Sequence, residues 1–176
     1  MENYELKPVI TSSEIQSKVK ELAGVISSDY KDKNLVMIGI LKGAFIFLAD
    51  LVRQLSIPVE IDFVRLASYG TEAESSGTVK LTKDVELSLG GKDVIIVEDI
   101  VDTGYTLKFL AEHIKKKNPN SVKICALIDK CERRECVVKI DYTGFEIPRG
   151  FLVGYGLDFN EKYRYLKDVY EVTFDS

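Results

Sequence analysis

The sequence alternates continuously apolar runs with amphipathic stretches, and this order constrains the fold more than any other feature. The run Leu35–Leu41 is continuously apolar, which is typical of a strand buried on both faces of a parallel sheet, and residues 94–97 and 122–128 form further predicted strands. Residues 59–67 form a further predicted strand. The sequence therefore predicts an α/β fold with a central, mostly parallel sheet flanked by helices.

Three predicted helices separate these strands. Thr11 and Ser13 are both candidate N-cap residues for the first, whose apolar residues recur at helical spacing until about Ser28. The second, 44–55, is apolar nearly all round, and the third is marked by apolar residues between 107 and 114. Parallel sheets bind ligands at the carboxyl ends of their strands, so we expect a site at that edge.

Composition limits the possible partners. At 176 residues the chain fits one domain, and its 45% hydrophobic and 30% charged residues are typical of a globular protein. A net charge of -4 argues against a nucleic-acid partner, because phosphate contacts need clustered cations. No apolar run is long enough to span a membrane, and no signal peptide is evident, so we expect a cytoplasmic protein without a membrane partner. One histidine and three cysteines without a CxxC pair disfavour a zinc site.

Residues with chemical potential concentrate where the strand at 94–97 meets the third helix. Glu98 and Asp99 come first, followed by Asp102, Thr103, Gly104, Tyr105 and Thr106. Amides at a helix N-terminus, two threonine hydroxyls and a glycine that permits close approach together predict a phosphate cradle. The carboxylates are suited to ribose hydroxyls and to Mg²⁺, and an acid near the reacting carbon could take a proton.

A purely structural interpretation of the same string also exists. Glu98 and Asp99 could simply end a strand, and Asp102 could cap the following helix.

The whole string resembles the motif that binds 5-phosphoribosyl-1-pyrophosphate (PRPP) in type I phosphoribosyltransferases, in the form of the hypoxanthine-guanine branch. The segment Leu41-Lys42-Gly43 is similar to that family's pyrophosphate loop, which contains a cis peptide before a residue other than proline. Ser68 and Tyr69 match the start of its mobile catalytic loop, which we expect at about 68–80.

Matches to the same family continue toward the C-terminus. The resemblance implies that Lys130 donates to the six-position carbonyl of a purine and that Arg134 supports the loops. The segment 151–161 resembles the base-binding segment. There Phe151 would stack on the purine, and Leu152 would offer its backbone to the purine edge.

Two further matches concern the base and the leaving group. Asp158 would serve the exocyclic group through its carbonyl and Mg²⁺ through its carboxylate, and Arg164 would bind pyrophosphate together with Lys42 and Gly43.

The resemblance also implies the architecture and the reaction. One domain would span 1–176, with a core at about 11–140 and a small hood from about 1–10 and 145–176. The family's reaction is Mg²⁺-dependent transfer of 5-phosphoribosyl from PRPP to hypoxanthine or guanine. By the same resemblance Asp102 would be the base, residues 102–106 would bind the 5′-phosphate, and Glu98, Asp99 and Asp158 would be the metal ligands. A homodimer or homotetramer is expected.

Two alternatives stay open at this point. One is a phosphoribosyltransferase that uses xanthine or a pyrimidine, although the matches at Lys130 and 151–158 disfavour pyrimidines. The other is a PRPP-sensing regulator that binds RNA or DNA with the same fold, since fold alone does not determine function. The sequence does not rank hypoxanthine, guanine and xanthine.

Overall fold

The computed structural model describes residues 4–68 and 79–174. Within these residues the chain forms three helices, which are α1 (Ser12–Asp29), α2 (Phe45–Gln54) and α3 (Tyr105–Lys115). The strands of the same residues are β1 (Tyr4–Ile10), β2 (Leu35–Leu41), β3 (Val59–Ser68), β4 (Val79–Lys83), β5 (Asp93–Val101), β6 (Ser121–Asp129), β7 (Tyr142–Glu146), β8 (Leu152–Val153) and β9 (Val169–Phe174).

The main sheet has six strands in the order β4-β3-β2-β5-β6-β7. All neighbouring pairs are parallel except β3 and β4, which are antiparallel. The predicted α/β fold with a mostly parallel central sheet is therefore confirmed. The strands β2, β5 and β6 are neighbours and run parallel to one another, so their carboxyl ends meet along one edge of the sheet.

Two hydrophobic cores, one on each face of the main sheet, explain the apolar runs of the central strands. On one face Met37, Ile95 and Leu127 pack with residues of α1 and α2. On the other face Ile38 and Ile96 pack with residues of α3. Successive side chains of a strand point to opposite faces, so a sheet covered on both sides requires a continuous apolar run.

Helix α1 begins with a reciprocal cap. The Thr11 hydroxyl accepts a hydrogen bond from the backbone amide of Glu14, and the Glu14 carboxylate accepts one from the amide of Thr11. Thr11, rather than Ser13, is therefore the N-cap residue among the two predicted candidates. The buried stripe of α1 includes Ile15, Val19 and Ile26, which matches the predicted periodicity.

Strand β5 extends beyond the apolar run at 94–97 that indicated it. It continues through Glu98 and Asp99 to Val101, and Glu98 pairs with Ala126 of β6. The acid pair thus lies inside a central strand rather than after it. The ladder with β6 accounts for the extension, because Glu98 pairs with Ala126 and the pairing continues beyond Asp99 at Ile100 and Val101.

A second sheet of three strands, in the order β1-β9-β8, joins the two ends of the described chain. Tyr4 pairs with Phe174, and the Tyr4 ring packs edge-on against Phe159. This sheet lies within the residues predicted for a hood, whereas the main sheet continues to Glu146. The division into core and hood stays a prediction.

Two further expectations concern the predicted catalytic loop and the absence of a membrane-spanning helix. Tyr69 and most of the predicted catalytic loop, 69–78, lie outside the described residues, and Ser68 is the last residue of β3. Among the helices of 4–68 and 79–174, none is both long and apolar enough to cross a membrane.

Replacing the N-cap residue should weaken the fold without changing the site. We expect Thr11→Ala to lower the free energy of unfolding by about 1 kcal/mol, because an amide at the start of α1 loses its acceptor. Thr11→Ser keeps the oxygen and serves as the matched control. Urea denaturation followed by circular dichroism measures both, and equal losses in the two variants would contradict the cap's contribution.

Candidate active site

A cavity of about 370 Å³ lies at the carboxyl edge of the main sheet. Its walls come from the ends of β2, β5 and β6 and from the segment that begins at Phe151. The lining residues are Lys42, Gly43, Asp99, Ile100, Asp102, Lys130, Arg133, Phe151, Leu152, Leu157, Asp158 and Arg164. The fold therefore brings together predicted residues that are up to 122 positions apart in the sequence, from Lys42 to Arg164.

An acid pair lies in β5, and its second member, Asp99, lines this cavity. The residues Glu98 and Asp99 are only 8% and 7% exposed. Burial, together with the neighbouring charge of Asp99, raises the pKa of Glu98 well above its usual value. Burial also raises the pKa of Asp99, against the opposing effect of hydrogen bonds and of the Arg164 charge. Two adjoining buried carboxylates are poorly solvated, and a cation or hydroxyl donors would stabilise their charge.

Gly43 permits the close approach of the first loop to this acid pair. A β-carbon added at Gly43 would overlap the Asp99 carboxylate, and one added at Gly156 would overlap the carbonyl of Gly43. The peptide bond between Leu41 and Lys42 is cis. Glycine at these two positions lets three separate chain segments meet without side chains between them.

A smaller cavity, of about 130 Å³, adjoins the first and corresponds to the predicted phosphate cradle. It is lined by Glu98, Ile100, Val101, Asp102, Thr103, Gly104, Thr106 and Leu107. Gly104 is the N-cap residue of α3, has a φ of 90° and makes no side-chain cap. The amides of the first turn of α3 therefore remain available to an anion.

The structural interpretation of Asp102 fails on this geometry. Asp102 does not cap α3, because the helix begins after Gly104 and no side chain caps it. Tyr105 is the first residue of α3 and is 38% exposed.

Arg134 links the residues of the predicted phosphate cradle to β6. Its Nε donates to the carbonyl of Asp102 at 2.9 Å, and its Nη2 donates to the carbonyl of Val101 at 3.4 Å and pairs with Asp129. The amides of Glu135 and Cys136 both donate to the carbonyl of Thr103. The loop-supporting position that the family resemblance implied for Arg134 agrees with these contacts.

The Asp102 carboxylate lies between two cations. Its Oδ2 is 3.7 Å from Nζ of Lys130 and 3.6 Å from Nη1 of Arg133. Its Oδ1 is buried, and no hydrogen-bond partner for it occurs within 4–68 and 79–174. A buried carboxylate oxygen without a partner is costly, and a ligand that donates a proton there would satisfy it.

The candidates for binding the base, Phe151, Leu152 and Lys130, all line the cavity of about 370 Å³. Phe151 is 46% exposed although it is a large aromatic residue, and its ring contacts Phe159 edge-on at 5.4 Å. Leu152 is buried in β8, and Lys130 is almost buried, with a side chain 11% exposed. An exposed ring and a nearly buried lysine in the lining of one cavity suit a flat, polar-edged ligand.

The candidates for pyrophosphate form a network of ion pairs. Arg164 is 2.6 Å from the Asp158 carboxylate and donates through Nη1 to the carbonyl of Gly156 at 2.7 Å. Lys42 forms a hydrogen bond of 2.8 Å with Glu161. The loop after β2 and the segment that contains Arg164 are therefore linked directly through Glu161.

The donor set fits Mg²⁺ but not a cage made of protein alone. Within the described parts of the chain, no three acidic, histidine or cysteine side chains converge as a metal site. The predicted ligands Glu98, Asp99 and Asp158 therefore do not form one cluster. Mg²⁺ is usually held by one or two carboxylates and completes its octahedron with water and substrate phosphate oxygens, which matches the buried acid pair.

Two charged residues at the site, Arg133 in the cavity wall and Glu161 beside it, were not assigned a role from the sequence. Arg133 contacts Asp102, and Glu161 contacts Lys42 and Arg164. The spacing Asp158-x-x-Glu161-x-x-Arg164 was a possible signal, because the three charges recur at equal intervals beside an exposed turn.

A larger cavity, of about 730 Å³, lies at the opposite edge of the main sheet, between Tyr30 and Glu60. Its lining does not include the acid pair or the residues of the predicted phosphate cradle.

Comparison with known proteins places this geometry among relatives. Residues 11–160 match the phosphoribosyl transferase domain. The chain is 48% identical over 162 residues to a hypoxanthine-guanine phosphoribosyltransferase of Dictyostelium discoideum, covering 90% of each chain. It is 46% identical to that of Bacillus subtilis, covering 91% of this chain and 89% of the other. A crystal structure of a hypoxanthine phosphoribosyltransferase from Staphylococcus aureus superposes with a TM-score of 0.91 at 40% identity, covering 95% and 91%.

Weakening the Arg134 network should loosen the cradle. We expect Arg134→Lys to lower the free energy of unfolding by about 2 kcal/mol, because one ammonium cannot serve three separate oxygen acceptors in this geometry. Amide hydrogen exchange at 102–106 should become faster. Arg133→Lys is the matched control, since the side chain of Arg133 is 67% exposed, and its change should be near zero. Equal effects of the two substitutions would contradict the assignment.

Proposed function

Because the chain belongs to the phosphoribosyltransferase family, we propose that it transfers the 5-phosphoribosyl group of PRPP to hypoxanthine or guanine and releases pyrophosphate. The products are IMP or GMP, and the activity is that of a purine salvage enzyme. The single observation that carries the proposal is the convergence of a candidate anion cradle, a buried acid pair and an exposed aromatic ring around two cavities that share Ile100 and Asp102 in their walls.

The 5′-phosphate is assigned to the smaller cavity. The amides at the start of α3 and the hydroxyls of Thr103 and Thr106 are the donors available there. Gly104 keeps the approach open, because it carries no side chain at a φ of 90°. This anchor fixes one end of PRPP and leaves the ribose beside β5.

The ribose and its metal are assigned to the acid pair. Glu98 and Asp99 would accept hydrogen bonds from the ribose hydroxyls and contribute to holding Mg²⁺. When bound, Mg²⁺ neutralises negative charge on pyrophosphate as it departs. Lys42, Gly43 and Arg164 form the end of the cavity where the leaving group would lie, and Asp158 would add a carboxylate there.

The base is assigned to the wall formed by Phe151, Leu152 and Lys130. In the transfer step the ribose carbon loses its bond to a pyrophosphate oxygen and gains one to a purine nitrogen, and the purine proton leaves. Asp102 would take that proton, a role supported by its position in the cavity lining and by its Oδ1, for which the described residues offer no hydrogen-bond partner. Lys130 would polarise the purine carbonyl.

Three finer assignments accompany the proposal. Mg²⁺ is the proposed cofactor, because the donor set suits a metal that shares its ligands with substrate. The chain is proposed to act in the cytoplasm and as a homodimer or homotetramer. Ser68 and Tyr69 are proposed to begin the lid that closes over PRPP.

Two other functions of the same site make different predictions. A xanthine- or pyrimidine-specific transferase would use the same PRPP cradle with another base. A PRPP-sensing regulator would bind RNA or DNA in a salt-dependent manner, which the net charge of -4 disfavours.

The proposed activity can be tested directly with five bases. PRPP, Mg²⁺ and hypoxanthine, guanine, xanthine, adenine or uracil are incubated in parallel, and nucleotide formation is followed by ultraviolet absorbance. We expect rapid formation of IMP and GMP, abolished by chelation of Mg²⁺. A preference for xanthine or uracil would favour another transferase. No turnover despite PRPP binding would favour the regulator.

The base role of Asp102 can be tested by an isosteric substitution. Asp102→Asn should lower kcat by about 100-fold or more, because the amide cannot accept the purine proton, while the KM for PRPP stays similar. Asp32→Asn is the control, since Asp32 is exposed at the opposite edge of the sheet and its positive φ suits asparagine. A kcat for Asp102→Asn within a few-fold of wild type would refute the role.

A further inference from the structure

The Glu161 carboxylate forms ion pairs with the two cations that are assigned to pyrophosphate. Its Oε2 is 2.8 Å from Nζ of Lys42 and 3.5 Å from Nη2 of Arg164. The side chains of Lys42 and Glu161 are 48% and 65% exposed, so a dissolved anion can reach the same place. The protein's own carboxylate thus has the position that the assigned ligand would need.

A tight turn aims Glu161 at these cations. Phe159 and Lys162 exchange backbone hydrogen bonds of 3.2 and 3.0 Å across the turn. The two central residues, Asn160 and Glu161, have φ values of 50° and 61°. Turns of this type favour glycine at the second central position, so glutamate is strained there. Strain at a binding site indicates that the side chain contributes something other than stability.

Arg164 does not depend on Glu161 for its position. Its Nη2 pairs with Asp158 at 2.6 Å, and its Nη1 donates to the carbonyl of Gly156. Asp158 also accepts a hydrogen bond from the backbone amide of Glu161, which fixes the turn independently of the Glu161 side chain. The Glu161 carboxylate can therefore leave Lys42 and Arg164 while both the turn and Arg164 stay in place.

Glu161 is an anion at neutral pH. The hydrogen bond from Lys42, helped by the charges of Lys42 and Arg164, holds the pKa of Glu161 below its usual value. The charged groups near this carboxylate are therefore Lys42, Arg164 and, on the same segment, Asp158. An ionised carboxylate and pyrophosphate would both be attracted to the same two cations, and they cannot occupy them together.

We propose that Glu161 is an internal competitor for pyrophosphate, which occupies Lys42 and Arg164 between turnovers, yields them to PRPP and returns to them as pyrophosphate departs. The inference rests on the proposed function, because it takes Lys42 and Arg164 as the residues that receive the pyrophosphate group. Its consequence is that the enzyme binds PRPP and pyrophosphate less tightly, and releases pyrophosphate more readily, than it would without this carboxylate.

The substitution Glu161→Gln tests the competition, because glutamine keeps the length of the side chain and removes its charge. We expect the dissociation constant of Mg-pyrophosphate, measured by calorimetry, and the KM for PRPP both to fall by about two- to tenfold, the range that two exposed ion pairs can supply. The dissociation constant of GMP should not change, because GMP carries no pyrophosphate. A structural role alone would not separate these ligands.

Two further variants serve as controls. Glu60→Gln removes the same charge from a pair with Lys92 at the start of β3, and it should leave pyrophosphate affinity unchanged. Glu161→Gly should bind pyrophosphate as tightly as Glu161→Gln and should be more resistant to urea, because glycine suits the positive φ of the turn.

The possible failures are distinguishable. If wild type forms nucleotide but Glu161→Gln has unchanged pyrophosphate affinity, the competition is refuted and the proposed function stands. Weaker binding in Glu161→Gln would also refute it, since Glu161 would then align the two cations for the ligand. An equal gain in Glu60→Gln would reduce the effect to net charge and overturn the inference. A wild type that forms no nucleotide refutes the proposed function itself.

Discussion

The burial of two adjoining carboxylates in a central strand is the constraint around which the site is organised. Glu98 and Asp99 lie in β5 between β2 and β6, where water cannot solvate them freely. The fold tolerates them because the backbone ladder of β5 with β6 keeps them in place and because the two apolar cores supply the stability of the sheet. The Arg164 charge only partly offsets the effect of burial on Asp99, and the proposed Mg²⁺ and ribose hydroxyls would stabilise the charge of the pair further.

Two glycines let the loops around the acid pair approach it closely. Gly43 gives space to the Asp99 carboxylate, and Gly156 gives space to the carbonyl of Gly43. Arg134 fixes the cradle from the side of β6, through two carbonyls and Asp129. Each loop is therefore positioned by a neighbour that is distant in sequence. The geometry of the cavity is a property of the whole edge of the sheet rather than of one motif.

The sequence was sufficient for those parts of the fold that depend on local pattern. Continuous apolar runs indicated β2, β5 and β6, and a capping pattern at Thr11 indicated the start of α1. The phosphate cradle followed from residue types next to one helix. The pairing of β1 with β9 was not predictable in this way, because its register is set by contacts between the two ends of the chain. The extension of β5 through two acids was also missed, since isolated carboxylates usually end a strand.

Charge pairing within the site is another feature that the local sequence pattern did not predict. Lys42, Asp158 and Arg164 were each identified by their position in a motif, and each was assigned to ligand. The structure shows that, before any ligand is considered, these charges already have partners in one another and in Glu161. Motif matching finds the residues that face a ligand, but it does not reveal which of them must first leave a protein partner. That exchange contributes to the affinity of the site, because every ion pair within the protein reduces the net gain from binding an anion. In the proposed assignment, affinity for pyrophosphate is thus set jointly by the cations that would bind it and by the carboxylates that already pair with them.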